Sequence, residues 1–404
     1  MFEPFAHYLS YGATDQATLR DLRGLYQGLL VPGTVAAFQH EGTGGFVLTL
    51  SATVEGAPYA IDPRFPLFQQ SLPSPKRSHE ALASVLGAPE LIRQRDPSPD
   101  DFEPGLVQSI AEAWVRFNEL YQGSAGGKFG KYAERLDEPV LPEDAVPPEA
   151  ILTPYLMADD TTDDWWGVSK ALHDATSQLD PSLPVIRVVA STSAAGLRGL
   201  LQDLRDEDVA IWVSGLDERE AAPEELASYL GAIADSRERG IRAFALYGGF
   251  FAVVAGRVGL SGACHGIGFG EHRDWPELPR SGPAPPRFYL PKIHRYVSQE
   301  DAQRLHNAAP RLARCECEHC GGREPIELEY HDLMKHSVAC RAVEIEELSL
   351  VDLQIAADWL ESELAEFLDG LAAADTTDLL WSRMSRASEH LNRWVSAIRI
   401  YSTR

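Results

Sequence analysis

From residue 150 onward, short apolar runs alternate with amphipathic stretches. The runs fall at residues 151–156, 185–190, 209–213, 243–247, 258–262 and 288–290. Helix-like segments lie between them at 164–179, 195–204, 222–239 and 250–255. Strand alternating with helix at this spacing predicts parallel βαβ units. Two further strand-like runs, at 46–50 and 59–61, raise the expected number to eight, which closes a (β/α)8 barrel. An open doubly wound sheet is the alternative. That fold wants a glycine-rich loop after its first strand, whereas Gly42-Thr43-Gly44-Gly45 precedes the 46–50 run and reads as a turn.

Elsewhere the pattern is mostly helical. The sequence predicts a helix at 17–30, a turn at Pro32-Gly33, and an amphipathic helix at 106–121 with Ile110, Trp114, Phe117 and Leu120 on one stripe. Segments 95–104 and 137–150 are rich in proline and acid and read as surface loops. A helix at 300–307 leads into a cysteine cluster, followed by helices at 348–371 and 378–400. The expected architecture is an α/β chain: a TIM-like (β/α)8 barrel over 1–297, a zinc-binding subdomain over 298–346 and a C-terminal helical cap over 347–404.

Composition narrows the function. The 404 residues are 44% apolar and 24% charged, as in an ordinary globular chain. No apolar run approaches the ~20 residues of a membrane helix, and Met1-Phe2-Glu3-Pro4 has no basic leader, so a cytoplasmic location is expected. Thirty-six lysines and arginines against 60 acids give a formal charge of −24. That balance argues against gripping nucleic acid over the whole surface. A polyanion would have to meet a local strip, and residues 273–297 offer one in Arg273, Arg280, Arg287, Lys292 and Arg295, interleaved with His294 and Tyr296. Arg383, Arg386, Arg393 and Arg399 on the last helix either extend the strip or pair with the neighbouring helix.

Three of the five cysteines fall within six residues, in Cys315-Glu316-Cys317-Glu318-His319-Cys320. Thiolates at this spacing converge on one tetrahedral ion, and Gly321-Gly322 permits the return of the chain. The fourth ligand comes from the following segment: His336 is favoured, with His331 and Cys340 as the alternatives. Three thiolates and a histidine fit structural Zn2+, because four protein ligands leave no position for water.

The Cys-x-Cys-x-x-Cys knuckle after a βα-barrel, followed by a His-bearing helix at His336-Ser337-Val338-Ala339-Cys340-Arg341, resembles the zinc subdomain of the tRNA-guanine transglycosylases. It is equally similar to that of the relatives that place 7-deazaguanine bases in DNA. The resemblance spans about residues 45–345 and implies exchange of a purine at a glycosidic bond, with one carboxylate at the sugar carbon and another managing protons. Asp62, closing the 59–61 run, resembles the family's first aspartate; a plain Asp-Pro turn is the other reading. Asp159 and Asp160 resemble the carboxylate that reads the purine edge, or serve as helix caps. Ser214-Gly215 is similar to a turn whose backbone meets the base. At the place of the nucleophilic aspartate stands Cys264, beside His265. Cys264 is therefore read as a thiol activated by histidine, as replaced by Glu271 reaching back, or as an inert core residue. Gly266, within a run of four glycines over 262–270, and Arg273 are expected at the ligand.

The leading expectation is a transglycosylase-like enzyme acting on a purine or 7-deazapurine in tRNA or DNA. The alternatives are a catalytically silent barrel that binds nucleic acid, a protein partner or a second copy of itself, and an enzyme of small nucleosides.

Overall fold

The structure, a computed structural model, describes all residues except 1–3, 13, 54–55, 137–138, 269–270, 277–286 and 404. Eight parallel strands form the central sheet: β1 Ala6–Ser10, β2 Gly28–Pro32, β3 Tyr59–Asp62, β4 Ile151–Leu152, β5 Val185–Ser191, β6 Asp208–Val213, β7 Arg242–Ala245 and β8 Gly262–His265. Their hydrogen-bonded order is β3-β2-β1-β8-β7-β6-β5-β4. The two end strands meet where the Glu149 N–H donates to the Tyr59 carbonyl at 2.9 Å. The result is a nearly closed TIM-like (β/α)8 barrel.

Helices coat the ring: α1 Gln16–Asp21, α2 Gly33–Phe38, α3 His40–Ser51, α4 Arg77–Val85, α5 Pro104–Leu120, α6 Lys128–Leu136, α7 Asp164–Gln178, α8 Ala194–Leu201, α9 Pro223–Glu238 and α10 Phe250–Ala255. Successive strand side chains face opposite ways, and the register makes the inner set even-numbered. Tyr8 pairs with Cys264, Leu30 with Ala60 and Ala210 with Phe244, all inside the ring. Odd-numbered neighbours such as Ile61, Ile211 and Ala263 pack outward beneath the helices. Both faces are apolar, as buried parallel strands require.

The eight observed strands are not the eight expected. The 46–50 run lies inside α3, which is buried from Thr43 to Ser51; a short apolar run does not distinguish a buried strand from a buried helix turn. Gly44 and Gly45 are helix-packing residues rather than a turn. A Cβ on Gly44 would stand 2.2 Å from the Ser124 hydroxyl oxygen, and one on Gly45 2.9 Å from the Lys128 Cβ. The expected helix at 17–30 is instead α1 followed by β2, and β1 precedes it.

The 288–290 run leaves the barrel. It forms β9 Arg287–Leu290, antiparallel to β10 Arg295–Ser298. Helices α11 Gln299–Ala308 and α12 Pro310–Ala313 then lead to the cysteines, and α13 Tyr330–Ser349, α14 Leu353–Ala372 and α15 Asp378–Ser402 complete the chain. Among the described residues no helix is long and apolar enough to cross a membrane.

Candidate functional site

Catalytic residues of (β/α)8 barrels stand at the C-terminal ends of the strands, and Asp62 closes β3 there. The chain turns sharply behind it, with Arg64 in the left-handed region at φ 50°. This turn returns the Arg64 N–H to Asp62 Oδ1 at 2.9 Å. The Tyr155 hydroxyl donates to the same oxygen at 3.0 Å and the Tyr247 hydroxyl to Oδ2 at 2.5 Å. The guanidinium groups of Arg64 and Arg273 approach Oδ2 to 3.8 and 4.0 Å. Asp62 is only 1% exposed, and each of these neighbours is a donor or a cation. Burial, the first cause, pushes both phenols upward, so they remain neutral donors at physiological pH.

Arg273 reaches this carboxylate from the segment after β8. Its guanidinium lies over the rings of Trp212 and Tyr247, 5.5 and 5.2 Å from their centroids, and donates to the Tyr247 oxygen at 2.6 Å. The segment is pinned across the mouth. Trp212 Nε1 donates to the Arg273 carbonyl, the Trp275 N–H to Ser214 Oγ at 2.6 Å, and Trp275 Nε1 to the Pro66 carbonyl at 2.8 Å. Gln69 braces the rim by bonding both the N–H and the carbonyl of Met157. Tyr155, Tyr247 and Trp212 went unread in the sequence because strand-end aromatics carry no motif.

Cys264 lies inside the ring and His265 outside it, since adjacent strand residues face opposite ways. Thiol activation by this histidine therefore does not occur. Burial, reinforced by the Asp62 charge, pushes the Cys264 thiol up, away from the reactive thiolate. His265 sits edge-on to His7, ring centroids 4.9 Å apart, and burial holds its imidazole neutral. Glu271 does not replace the missing carboxylate beside Asp62 either: Arg341 Nη2 donates to its Oε1 at 2.7 Å.

The remaining expected residues lie around the rim. Asp159 and Asp160 are exposed. Asp160 closes its own turn by accepting from the Thr162 N–H and hydroxyl, and Asp159 accepts from the Thr192 hydroxyl. The cap of α7 is Asp163, which accepts from the Trp165 N–H. Gly215 passes against Thr192, whose carbonyl oxygen would stand 2.7 Å from any Cβ. Gly266 is buried just past β8.

The basic strip is not a continuous face. Arg273 turns into the barrel, and Arg295 turns toward the Ala387 carbonyl and Glu220. His294 and Tyr296 are buried, while Arg280 lies outside the described residues. On α15, Arg383 pairs with Asp301, Arg393 with Glu220 and Arg399 with Glu361.

A buried charge network joins the mouth to α13. Arg341 bonds Glu271 and approaches Glu344 at 3.2 Å, and the Tyr289 hydroxyl donates to Glu344. His294 meets Glu344 through Nδ1 at 2.6 Å and Glu363 through Nε2 at 2.7 Å. Burial by itself would push His294 down; the two carboxylates outweigh it and raise the imidazole to about 9. Glu218 is raised to about 7, chiefly by burial, against the N–H donors of Gly249 and Phe251 at the start of α10.

The cysteines converge with α13. Gly321 and Gly322, at φ 55° and 77°, take the left-handed conformations that turn the knuckle back. The donor atoms of Cys315, Cys317, His336 and Cys340 all lie within 4.8 Å of one another. His336 Nε2–H donates to the Tyr289 carbonyl at 2.6 Å, which leaves Nδ1 as the ligand facing the sulfurs. His331 is directed elsewhere, to the Thr18 hydroxyl. Cys320 also reaches the cluster, so five donors surround a place for four. Tetrahedral zinc with bonds of ~2.3 Å to sulfur and ~2.0 Å to nitrogen requires S···S edges near 3.8 Å and S···N edges near 3.5 Å. Cys315···Cys340 at 3.8 Å, Cys317···Nδ1 at 3.5 Å and Cys340···Nδ1 at 3.5 Å meet that geometry. Cys320 lies closer than either edge, at 3.4 Å from Cys317 and 3.2 Å from Nδ1. The donor set fits a metal ion, with Cys340 a better fourth ligand than Cys320.

The chain matches no family profile. It matches no curated protein either. Among solved structures it is similar to an intracellular xylanase from Thermoanaerobacterium saccharolyticum, determined as a mutant bound to xylotriose. The identity is 8% and the TM-score 0.36, over 69% of this chain and 90% of that one.

Proposed function

We propose that the mouth centred on Asp62 binds a purine or 7-deazapurine base. There it exchanges the base at its N-glycosidic bond, as in the tRNA-guanine transglycosylases that the knuckle resembles, on tRNA, DNA or a nucleoside. The observation that carries this reading is Arg273, a flat donor-rich cation stacked on Trp212 and Tyr247 with its edge toward a buried carboxylate. A guanine-type base presents the same two features, a planar face and N–H donors along one edge. In this reading the base takes the place that Arg273 holds beside Asp62. The exchange balances within the two bases: the outgoing base leaves with the bond pair and gains a proton, and the incoming base gives one up. Asp62 is the group placed to carry that proton. Zn2+ on the knuckle holds α13, and through Arg341 the β8 loop, without entering the reaction.

A second reading, a barrel that binds the base without turnover, is favoured by Cys264, an inert thiol where the second carboxylate would be needed. Labelled guanine offered with tRNA, duplex DNA or guanosine tests both. Exchange into one of the three by wild type, with a loss of about 10²-fold or more in Asp62→Asn, supports the enzyme. Binding without exchange supports the silent barrel, and neither binding nor exchange removes both.

A further inference from the structure

The ring carries a hollow at the end opposite Asp62. Inward positions there are small, among them Ala6, Ala60 and Ala210, and they leave a cavity of about 340 Å³ walled by Leu30, Leu246 and Phe244. Eight-stranded barrels ordinarily fill this space with branched side chains. The hollow is also not sealed: Tyr8, Ile186 and Phe244 point into the ring and are nonetheless partly exposed. It opens onto a wider depression of about 610 Å³ that shares Glu149, Ile186, Asp208 and Arg242. Its volume falls within the ~300–1,000 Å³ of small-molecule sites.

The walls are aromatic and the opening carries acidic side chains. Tyr8 and Phe244 meet edge to face at 5.1 Å, and Tyr8 lies over Gly28, where any Cβ would stand 2.4 Å from its ring. The Tyr8 hydroxyl donates to Glu149 Oε2 at 2.8 Å. At the opening stand Glu149, Asp206, Glu207 and Asp208. Arg242 is forked on Asp208 and Arg187 bonds Glu207, whereas among the described residues the Glu149 carboxylate meets a phenol rather than a cation.

We propose that this hollow binds a small organic cation, an amine on an aromatic or branched apolar body. The body lies between Tyr8 and Phe244, and the ammonium bonds Glu149. The site is separate from the Asp62 mouth and does not depend on how that mouth is read.

Calorimetry on the full chain with tryptamine, and with indole-3-acetate as the anion of similar shape, tests it. The expected result is tryptamine binding to wild type, with indole-3-acetate and the Glu149→Gln variant each weaker by about tenfold or more, the share of a charge-assisted hydrogen bond. Ala210→Leu, which fills the hollow, abolishes binding while resistance to urea stays equal or rises. Absence of tryptamine binding at millimolar concentration, equal binding of amine and acid, or full binding by a folded Ala210→Leu overturns the proposal. If Ala210→Leu does not fold, Glu149→Gln, at an exposed position, decides alone.

Discussion

Replacing Arg341 by methionine probes the link between the metal-bearing helix and the barrel mouth. Arg341 bonds Glu271 at 2.7 Å and Glu344 at 3.2 Å, and its guanidinium lies over the rings of Phe250 and Tyr289. The Arg341 and Glu271 side chains are 4% and 9% exposed, so water screens little of the interaction. At an effective dielectric constant of ~20, opposite charges this close attract by ~6 kcal/mol, most of it offset by desolvation. Removing one partner leaves the carboxylates buried without their cation, at a cost of about 3–5 kcal/mol. Methionine retains the apolar stem, so the loss is electrostatic. Urea unfolding of the metal-loaded protein reads it, with Arg399→Met as control. Arg399 pairs with Glu361 on the surface, both about half exposed, where solvent screening leaves little or no loss to be expected. Glu271 stands two residues before Arg273, so amide exchange across 271–275 should quicken in Arg341→Met and not in the control. Equal losses in the two variants, or unchanged exchange in that segment, would refute the coupling.

Four further outcomes are expected. His294, raised to about 9 when folded from an ordinary value near 6.5, stabilises the fold fully below pH ~6.5 and loses that contribution as pH rises toward 9. The window is worth about 3 kcal/mol, and His294→Gln should flatten urea stability measured at pH 6 and pH 9. Cobalt titration should saturate at one ion per chain with a tetrahedral thiolate spectrum. Cys315→Ser and His336→Ala should abolish it, and Cys340→Ser should weaken it more than Cys320→Ser. Chelating the metal should lower the thermal midpoint, because ligand convergence contributes folding free energy. Gly44→Ala, which drives a Cβ against Ser124, should cost about 1–3 kcal/mol in the same urea assay.

The barrel was legible between residues 151 and 247 because its strands there are apolar runs separated by amphipathic helices, a pattern with few alternatives. It was misread outside that stretch: β8 begins only at Gly262, where the 258–262 run ends, and the 288–290 run leaves the barrel as β9. β1 carries His7 and Tyr8 on a five-residue strand, β2 follows a helix with only a short break, and α3 is apolar on every side. The knuckle was read from spacing alone, since thiolate geometry is local. Cys340 entered only as an alternative because its role depends on where α13 docks. Asp62 was legible as a strand end. The phenols and Arg273 around it come from the segments that follow β4, β7 and β8, and their convergence is a property of the closed ring rather than of any segment. The alternation of side chains along β8 separates Cys264 from His265, a pair whose adjacency in sequence implied contact.

Equilibrium binding of guanine to wild type, Arg273→Ala and Asp62→Asn tests the central claim most directly, that Arg273 holds the place of a base on Asp62. The account predicts tighter binding in Arg273→Ala than in wild type, because the resident cation is gone, and loss of binding in Asp62→Asn and in the double variant. Guanine binding that is absent from Arg273→Ala, or that persists undiminished in Asp62→Asn, would contradict it.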